Sequence, residues 1–459
     1  MFLSFKYYGY LLASTLYFIL LFIDAESSDI VITILSQNND YSLSKANKLK
    51  KSILNQSKLY GNSRLRKVQL LHEQYPEIGS WTIIPIVELL LKENRNVSWF
   101  LFCEENSFVN YENLLKLLQN YKYNEYIWMG YGLKDKNPTI IHHYEFENDI
   151  NRRLAYPLFA SGFIMSVELL LSILDKKLNT VGSHFAIDAS YELAQQIDQK
   201  LEHLPLKFCL KPSSDCVVHP QTERHKCDHK VTKDSIYFAV KTCKKYHDDR
   251  IPVLKSTWGR DAVHIEFFSD TTELSIPTTV LPNIPNTEQG HCLKTISIIK
   301  HLSKKLSLDH RVKWLVLTDD DTLISVPRLT SILNCWNGQE IALGQRYGYN
   351  VRRNLPLGYN YITGGGGIVL NIDVVHKLKD CKCYAPDAPD DMVLGICLQS
   401  LNISIVHSPV FHQARPQDYA DEYLEAYPII SFHKHLQIDP IQIYRYWLYQ
   451  DSSFGHDEL

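Results

Sequence analysis

The sequence carries no charge excess of either sign: 48 Lys and Arg stand against 51 Asp and Glu, a formal net charge of -3 over 459 residues. That balance removes the electrostatic attraction on which nucleic-acid binding depends, because phosphate neutralisation needs clustered cations. The Lys244-Lys245 and Lys304-Lys305 pairs are short and read as solvated surface. C-x-x-C spacings are missing among the ten cysteines, which disfavours a structural zinc site. Long apolar runs are missing too, except for Tyr8 to Ile23, and that run falls short of the ~20 residues a spanning helix needs.

What is present at the two ends agrees. Lys6 precedes the apolar run, which stops near Asp24-Ala25-Glu26, so residues 1–25 read as a cleaved signal peptide rather than a short signal anchor. The final residues His456-Asp457-Glu458-Leu459 spell HDEL, a retrieval address read by a KDEL/HDEL-type receptor. A soluble chain in the lumen of the endoplasmic reticulum is expected, not stably embedded in a membrane. Its cysteines are then expected to pair, since disulfides persist in an oxidising compartment. Cys209, Cys216, Cys227 and Cys243 cluster mid-chain, Cys381 and Cys383 sit two apart, and Cys397 falls in an apolar stretch that reads as a simple buried thiol. Spacing leaves the connectivity open. Asn55, Asn96 and Asn402 each begin an N-x-Ser glycosylation sequon.

The chain also repeats itself. Asp29-Ile-Val-Ile-Thr-Ile-Leu-Ser, followed by a helical stretch from Lys45 to Leu54, has the form of Asp234-Ser-Ile-Tyr-Phe-Ala-Val-Lys, followed by Arg250 to Trp258. Trp99-Phe-Leu-Phe-Cys-Glu-Glu-Asn matches Trp314-Leu-Val-Leu-Thr-Asp-Asp-Asp, each leading into a Leu-rich helix. Ala160-Ser161-Gly162 parallels Gly365-Gly366-Gly367, each expected just before an amphipathic helix, and Ile187-Asp188-Ala189 parallels Asp390-Asp391-Met392. Offsets drift only between 203 and 215, so short insertions reconcile the two copies. Strands alternating with helices at this spacing predict α/β domains with a mainly parallel sheet. The boundaries read as 28–205 for a first domain, 206–232 for a Cys- and Pro-containing linker and 233–450 for a second. Acids and glycines are eroded in the first copy, which marks it as a degenerate, non-catalytic duplicate.

Three motifs in the second copy carry chemistry. An apolar strand delivers Asp319, Asp320 and Asp321 to its carboxyl end, where ligands bind in open α/β sheets. Alternation along the strand points Asp319 and Asp321 together and Asp320 away, two hard oxygen donors suited to Mg²⁺ or Mn²⁺. Gly364 to Gly367, read between a strand and a helix, offer a backbone that a ligand can approach closely. Pro389-Asp390-Asp391 opens a helix with one carboxylate more than capping requires, and the extra one suits a general base. His407, His412, His433 and His435 punctuate the last stretch, with one of them available to complete a metal shell.

In this order Asp-Asp-Asp, Gly-Gly-Gly-Gly, Pro-Asp-Asp-Met-Val-Leu-Gly and Ser-Pro-Val-Phe-His resemble the Fringe-type β-1,3-glycosyltransferases, over nearly the whole second domain. The resemblance implies two tandem GT-A-like (Rossmann-like) domains, the first degenerate, and a metal-dependent inverting β-1,3-glycosyltransferase. The duplicated domain and HDEL tail resemble the branch that moves glucose from UDP-glucose to O-linked fucose on thrombospondin type 1 repeats. Carried across, Asp319, Asp321 and His412 are the expected metal ligands, and Asp391, with Asp390 as second choice, the base. Thr242, Arg250, Asp270, Lys294, Asp319, Asp320, Gly365 and Gly366 are the expected nucleotide contacts, with Mn²⁺ (or Mg²⁺) as cofactor. The competing readings are a Fringe that adds N-acetylglucosamine to EGF repeats, and a non-catalytic lumenal glycan-binding folding factor.

Overall fold

The computed structural model describes residues 29–449, apart from 61–63, 77–81, 137–153, 180–185, 198–207, 222–226, 228–230, 289 and 352–356. The expected signal peptide and HDEL tail lie outside the described residues, as does part of the linker. Among the described residues no helix is long and apolar enough to cross a membrane. All three sequon asparagines are exposed.

The first half contributes β1 (Ile30–Leu35), β2 (Leu65–Leu70), β3 (Trp99–Glu104), β4 (Ser107–Val109), β5 (Trp128–Gly130), β6 (Gly132–Leu133), β7 (Tyr156–Pro157), β8 (Phe163–Ser166) and β9 (Val218–Pro220). The second contributes β10 (Ile236–Lys241), β11 (His264–Ser269), β12 (Thr278–Val280), β13 (Trp314–Asp319), β14 (Thr322–Ile324), β15 (Ile341–Gly344), β16 (Arg346–Tyr349), β17 (Tyr359–Ile362), β18 (Ile368–Asn371), β19 (Ser404–His407) and β20 (Ser431–His433). Strands such as IVITIL and WLVL are buried along their length, because helices cover both sheet faces.

Sheet order exposes the duplication. The first sheet runs β2-β1-β3-β8-β5, and the second runs β12-β11-β10-β13-β18-β15-β19. Removing the two edge strands β12 and β19 leaves the same five-strand order in both. Register agrees as well: Ile30 pairs with Trp99 and Leu35 with Glu104, while Ile236 pairs with Trp314 and Lys241 with Asp319. Two small ribbons recur, β4 with β9 and β14 with β20, each antiparallel.

Both sheets are mainly parallel, as expected, each with a single antiparallel strand, β8 in the first and β18 in the second. Two expectations need correction. The Ala160-Ser161-Gly162 and Gly365-Gly366-Gly367 segments each precede a strand, with the helices Val167–Asn179 and Ile372–Leu378 following only after it. Cys397 is not a lone thiol: it bridges Cys381, while Cys292 bridges Cys383, Cys227 bridges Cys335 and Cys209 bridges Cys216. Cys103 and Cys243 remain free. The Cys227–Cys335 bridge closes a span of 108 residues and ties the linker to the second domain; loop-closure entropy for such a span is worth about 4–5 kcal/mol.

Candidate active site

At the carboxyl ends of β10 and β13 lies an open cavity of about 760 Å³, lined by Lys241, Thr242, Arg250, Lys294, the Asp319–Asp321 triplet and His433. The triplet sits where the strand ends. Asp319 is its last residue, and Trp258 fixes the chain just beyond by donating from Nε1 to the Thr322 carbonyl at 2.8 Å. The carboxylates divide as strand alternation requires. Asp319 and Asp321 both face the His433 imidazole, Oδ2 and Oδ1 lying 3.5 and 3.1 Å from Nε2. Asp320 turns away, accepting from Arg250 Nη1 and Thr242 Oγ1 at 2.7 Å each. Arg250 also spans to Asp321 at 3.0 Å and stacks its guanidinium over Tyr246, 3.7 Å from the ring centroid.

Asp319, Asp321 and His433 present one donor atom each, all within 4.8 Å of one another. Two carboxylate oxygens and an imidazole nitrogen are a donor set for Mn²⁺ or Mg²⁺. The electrostatics fit a cation at this point. Burial alone would keep His433 neutral, yet Asp321 and Asp319 pull it up to about 10. Burial pushes Asp320 up to about 6, against the pull of Arg250.

His433 replaces His412 in this cluster. The His412 ring is fully buried in an aromatic box, 4.8 Å from the Tyr419 ring and 5.1 Å from that of Phe432. Burial holds it far down at about 3, so it is a neutral core residue. The reason is topological: β20 pairs with β14 so that His433 lies opposite Thr322, immediately after the triplet.

The glycine run also differs from expectation. Gly365 and Gly366 are buried, and the amides around them are spent inside the protein: Gly364 donates to Asp391, Gly366 to Gln413 and Gly367 to the Gly364 carbonyl. Gly365 is required because His433 packs on it; a Cβ there would lie 2.3 Å from the imidazole Nδ1. The run buttresses the site and does not line the cavity. Asp270 is likewise outside the main cavity, accepting from the Lys244 amide at 2.8 Å beside a small cleft it shares with Lys294. Buried Lys294 donates to the Thr242 carbonyl.

Sequence reasoning missed Lys241. Its ammonium bridges Asp319 at 3.0 Å and Asp390 at 2.6 Å, joining two motifs 71 residues apart in the chain. Burial opposes that charge, but the two carboxylates hold it well above its usual range. Removing one member of such a buried network costs about 3–5 kcal/mol. The available signal was a lysine closing an otherwise apolar strand.

The helix Asp390–Ser400 is set in place from its N-terminal side. The Ala388 and Pro386 carbonyls accept from the Cys292 and Leu293 amides, and the Cys292–Cys383 and Cys381–Cys397 bridges clamp the preceding loop. Asp390 is committed to Lys241 and to Thr295, which donates at 2.5 Å. Among the described residues Asp391 accepts backbone amides alone, from Gly364 at 3.2 Å and Met392 at 2.8 Å. Burial first, and Asp390 second, raise its carboxyl to about 7. A carboxylate of that proton affinity is suited to base catalysis near neutrality.

Residues 231–454 match the model of the Fringe-like family. The chain is 42% identical to a human β-1,3-glucosyltransferase over 438 residues, covering 93% of this chain and 86% of that one. A mouse β-1,3-glucosyltransferase is 40% identical over 437 residues, covering 93% and 87%. A Drosophila Fringe glycosyltransferase is 26% identical over 248 residues, covering 49% and 55%. Fringe relatives thus match about half of this chain, whereas the glucosyltransferases match both of its domains. This chain belongs to the Fringe-like family of β-1,3-glycosyltransferases, on the branch of the human and mouse β-1,3-glucosyltransferases.

Proposed function

We propose that the protein transfers glucose from UDP-glucose to the 3-hydroxyl of O-linked fucose on thrombospondin type 1 repeats, giving Glcβ1-3Fuc with inversion. The observation that carries this reading is the 42% identity running through both domains, where Fringe similarity covers about half. The HDEL ending supports action on newly made glycoproteins in the endoplasmic reticulum lumen, with a KDEL/HDEL-type receptor as the retrieving partner.

Asp319, Asp321 and His433 are the residues that would hold Mn²⁺ or Mg²⁺. Such a cation, when bound, offsets the charge of the diphosphate leaving group. Arg250, Thr242 and Lys241 fix the acidic triplet in place, and with Lys294 they line the donor cavity. Asp391, which accepts from the Gly364 amide, takes the proton from the fucose 3-hydroxyl. That oxygen bonds to C1 of glucose as the C1–oxygen bond to UDP breaks, and attack opposite the leaving group inverts the anomeric carbon. Asp390 acts as a positioning residue through Lys241 and Thr295.

The test is a donor panel on O-fucosylated thrombospondin repeats and on O-fucosylated EGF repeats. Glucose transfer to the former alone is the expected result. N-acetylglucosamine transfer to the EGF repeats would instead favour the Fringe reading.

A further inference from the structure

The first domain ends its strands β1 and β3 at a second cavity, of about 450 Å³, between the two domains. Ligands of open α/β sheets bind at this end, and cavities of roughly 300–1,000 Å³ hold small molecules. Its floor is the degenerate triplet Glu104-Glu105-Asn106; its other wall comes from the second domain, including Trp336, Arg346 and His407.

The walls are built and partly uncommitted. Gln37 ties the domains together, donating to Glu105 at 3.0 Å and accepting from the His407 amide at 2.7 Å. Arg346 adds donations to Gln37 and to the Ile405 carbonyl. Three groups keep unused hydrogen-bonding capacity. The Lys45 ammonium rests over the Tyr41 ring at 4.2 Å and meets no carboxylate within salt-bridge distance among the described residues. The Glu104 carboxyl meets no side-chain hydrogen-bond donor among the described residues, and burial raises it to about 8. The Trp336 Nε1, on a side chain only 4% exposed, has no hydrogen-bond partner among the described residues. Tyr41 and Trp336 meet edge to face, centroids 5.0 Å apart, and supply an aromatic surface.

This chemistry selects against two ligand classes. A diphosphate would meet Glu104 and Glu105 without a metal cradle, because Asn106 stands where the active copy has Asp321 and Pro220 where it has His433. A purely apolar ligand would bury the Lys45 ammonium and the Glu104 carboxyl without compensation, which is costly. A neutral polyhydroxylated ring satisfies every wall: hydroxyls bond to carboxylate and ammonium, and C–H faces pack on the aromatic rings.

We propose that this interdomain cavity is a non-catalytic binding site for a neutral hexopyranose, either free or as the terminal sugar of a glycan. The inference does not depend on the donor or acceptor assigned to the active site.

The test uses the full-length protein, titrated with methyl hexopyranosides and with a glycopeptide bearing a terminal hexose. Tryptophan fluorescence and saturation-transfer NMR are the readouts. Saturable binding is expected, at least tenfold weaker in Glu104→Gln and in Lys45→Met, and unchanged in Asp321→Ala. Glu105→Gln is the substitute if either cavity variant melts early. Binding of the simple glycosides places free sugars in the site; binding of the glycopeptide alone places glycan termini there, and both support the proposal. Absence of binding by every probe would overturn it, as would binding that survives the cavity substitutions and disappears in Asp321→Ala.

Discussion

The two halves of this molecule share a five-strand order and a strand register, and they differ at the few positions where a sheet becomes an active site. Lys241, which bridges Asp319 and Asp390, has Leu35 at the equivalent register position of the first copy. Asp321 becomes Asn106, and His433, opposite Thr322, becomes Pro220, opposite Ser107. Three substitutions thus remove the third carboxylate, the imidazole and the ammonium that holds the rest. In the first copy Asp188 caps the helix Ala189–Gln196, donated to by the Ser190 and Tyr191 amides. The sheet tolerates these exchanges because its apolar strands make the core, while the exchanged groups stand at or just beyond strand ends.

The sharpest way to break this contrast is Asp321→Ala. Transfer is expected to fall by roughly 10³-fold or more with the fold intact, the scale of losing a charge-neutralising ligand. Chelation is expected to stop the unaltered enzyme and Mn²⁺ to restore it; full rates in excess chelator would remove the metal from the account. His433→Ala is expected to match Asp321→Ala, whereas His412→Phe keeps metal-dependent UDP binding. Rates and calorimetry on both variants check the exchange of one histidine for the other.

Asp391→Asn is expected to cost roughly 10²-fold in rate, the scale of losing a general base, while UDP binding persists. Because burial and Asp390 raise Asp391 to about 7, the base form accumulates only as pH rises through that value. Turnover is therefore expected to climb with pH on an acid limb near 7, and Asp391→Asn is expected to lose the limb. A profile with the limb intact in the variant contradicts the assignment.

Smaller effects lie in the first domain. Replacing Glu104 and Glu105 together with Ala is expected to change turnover of a small fucoside by less than about twofold, since a degenerate site contributes nothing to the transition state. A loss comparable to that of Asp321→Ala would show that both copies carry chemistry. Glu104 also makes a stability prediction. Its folded value is raised to about 8, so its contribution is present at low pH and is lost as pH rises through 8, when a buried charge must form. Glu104→Gln is expected to flatten the fall in melting temperature between about pH 4.5 and 8.

Much of this arrangement was legible in the sequence, because motif order and the internal repeat follow from local patterns. Apolar strands ending in acids, and acids opening a helix, announce themselves within ten residues. His433 was not distinguishable from His412, since what separates them is the pairing of β20 with β14 across 109 residues. The glycine run resembles a ligand cradle in the sequence because composition reports a close approach and not the partner; the partner is the His433 ring. The antiparallel β18 and the Cys381–Cys397 bridge were hidden for the same reason: each depends on which distant segment the chain meets. Lys241 hid in plain view, as a single charge ending an apolar run whose two carboxylate partners come from different motifs.

The central claim is that one donor site exists per chain and that it lies in the second domain. Calorimetric titration of the full-length protein with UDP in the presence of Mn²⁺ tests it most directly. One site per chain is predicted, abolished by Asp321→Ala and unaffected by the paired Glu104→Ala and Glu105→Ala substitutions. Two sites per chain, or UDP binding that survives Asp321→Ala and disappears with the glutamates, would contradict the account.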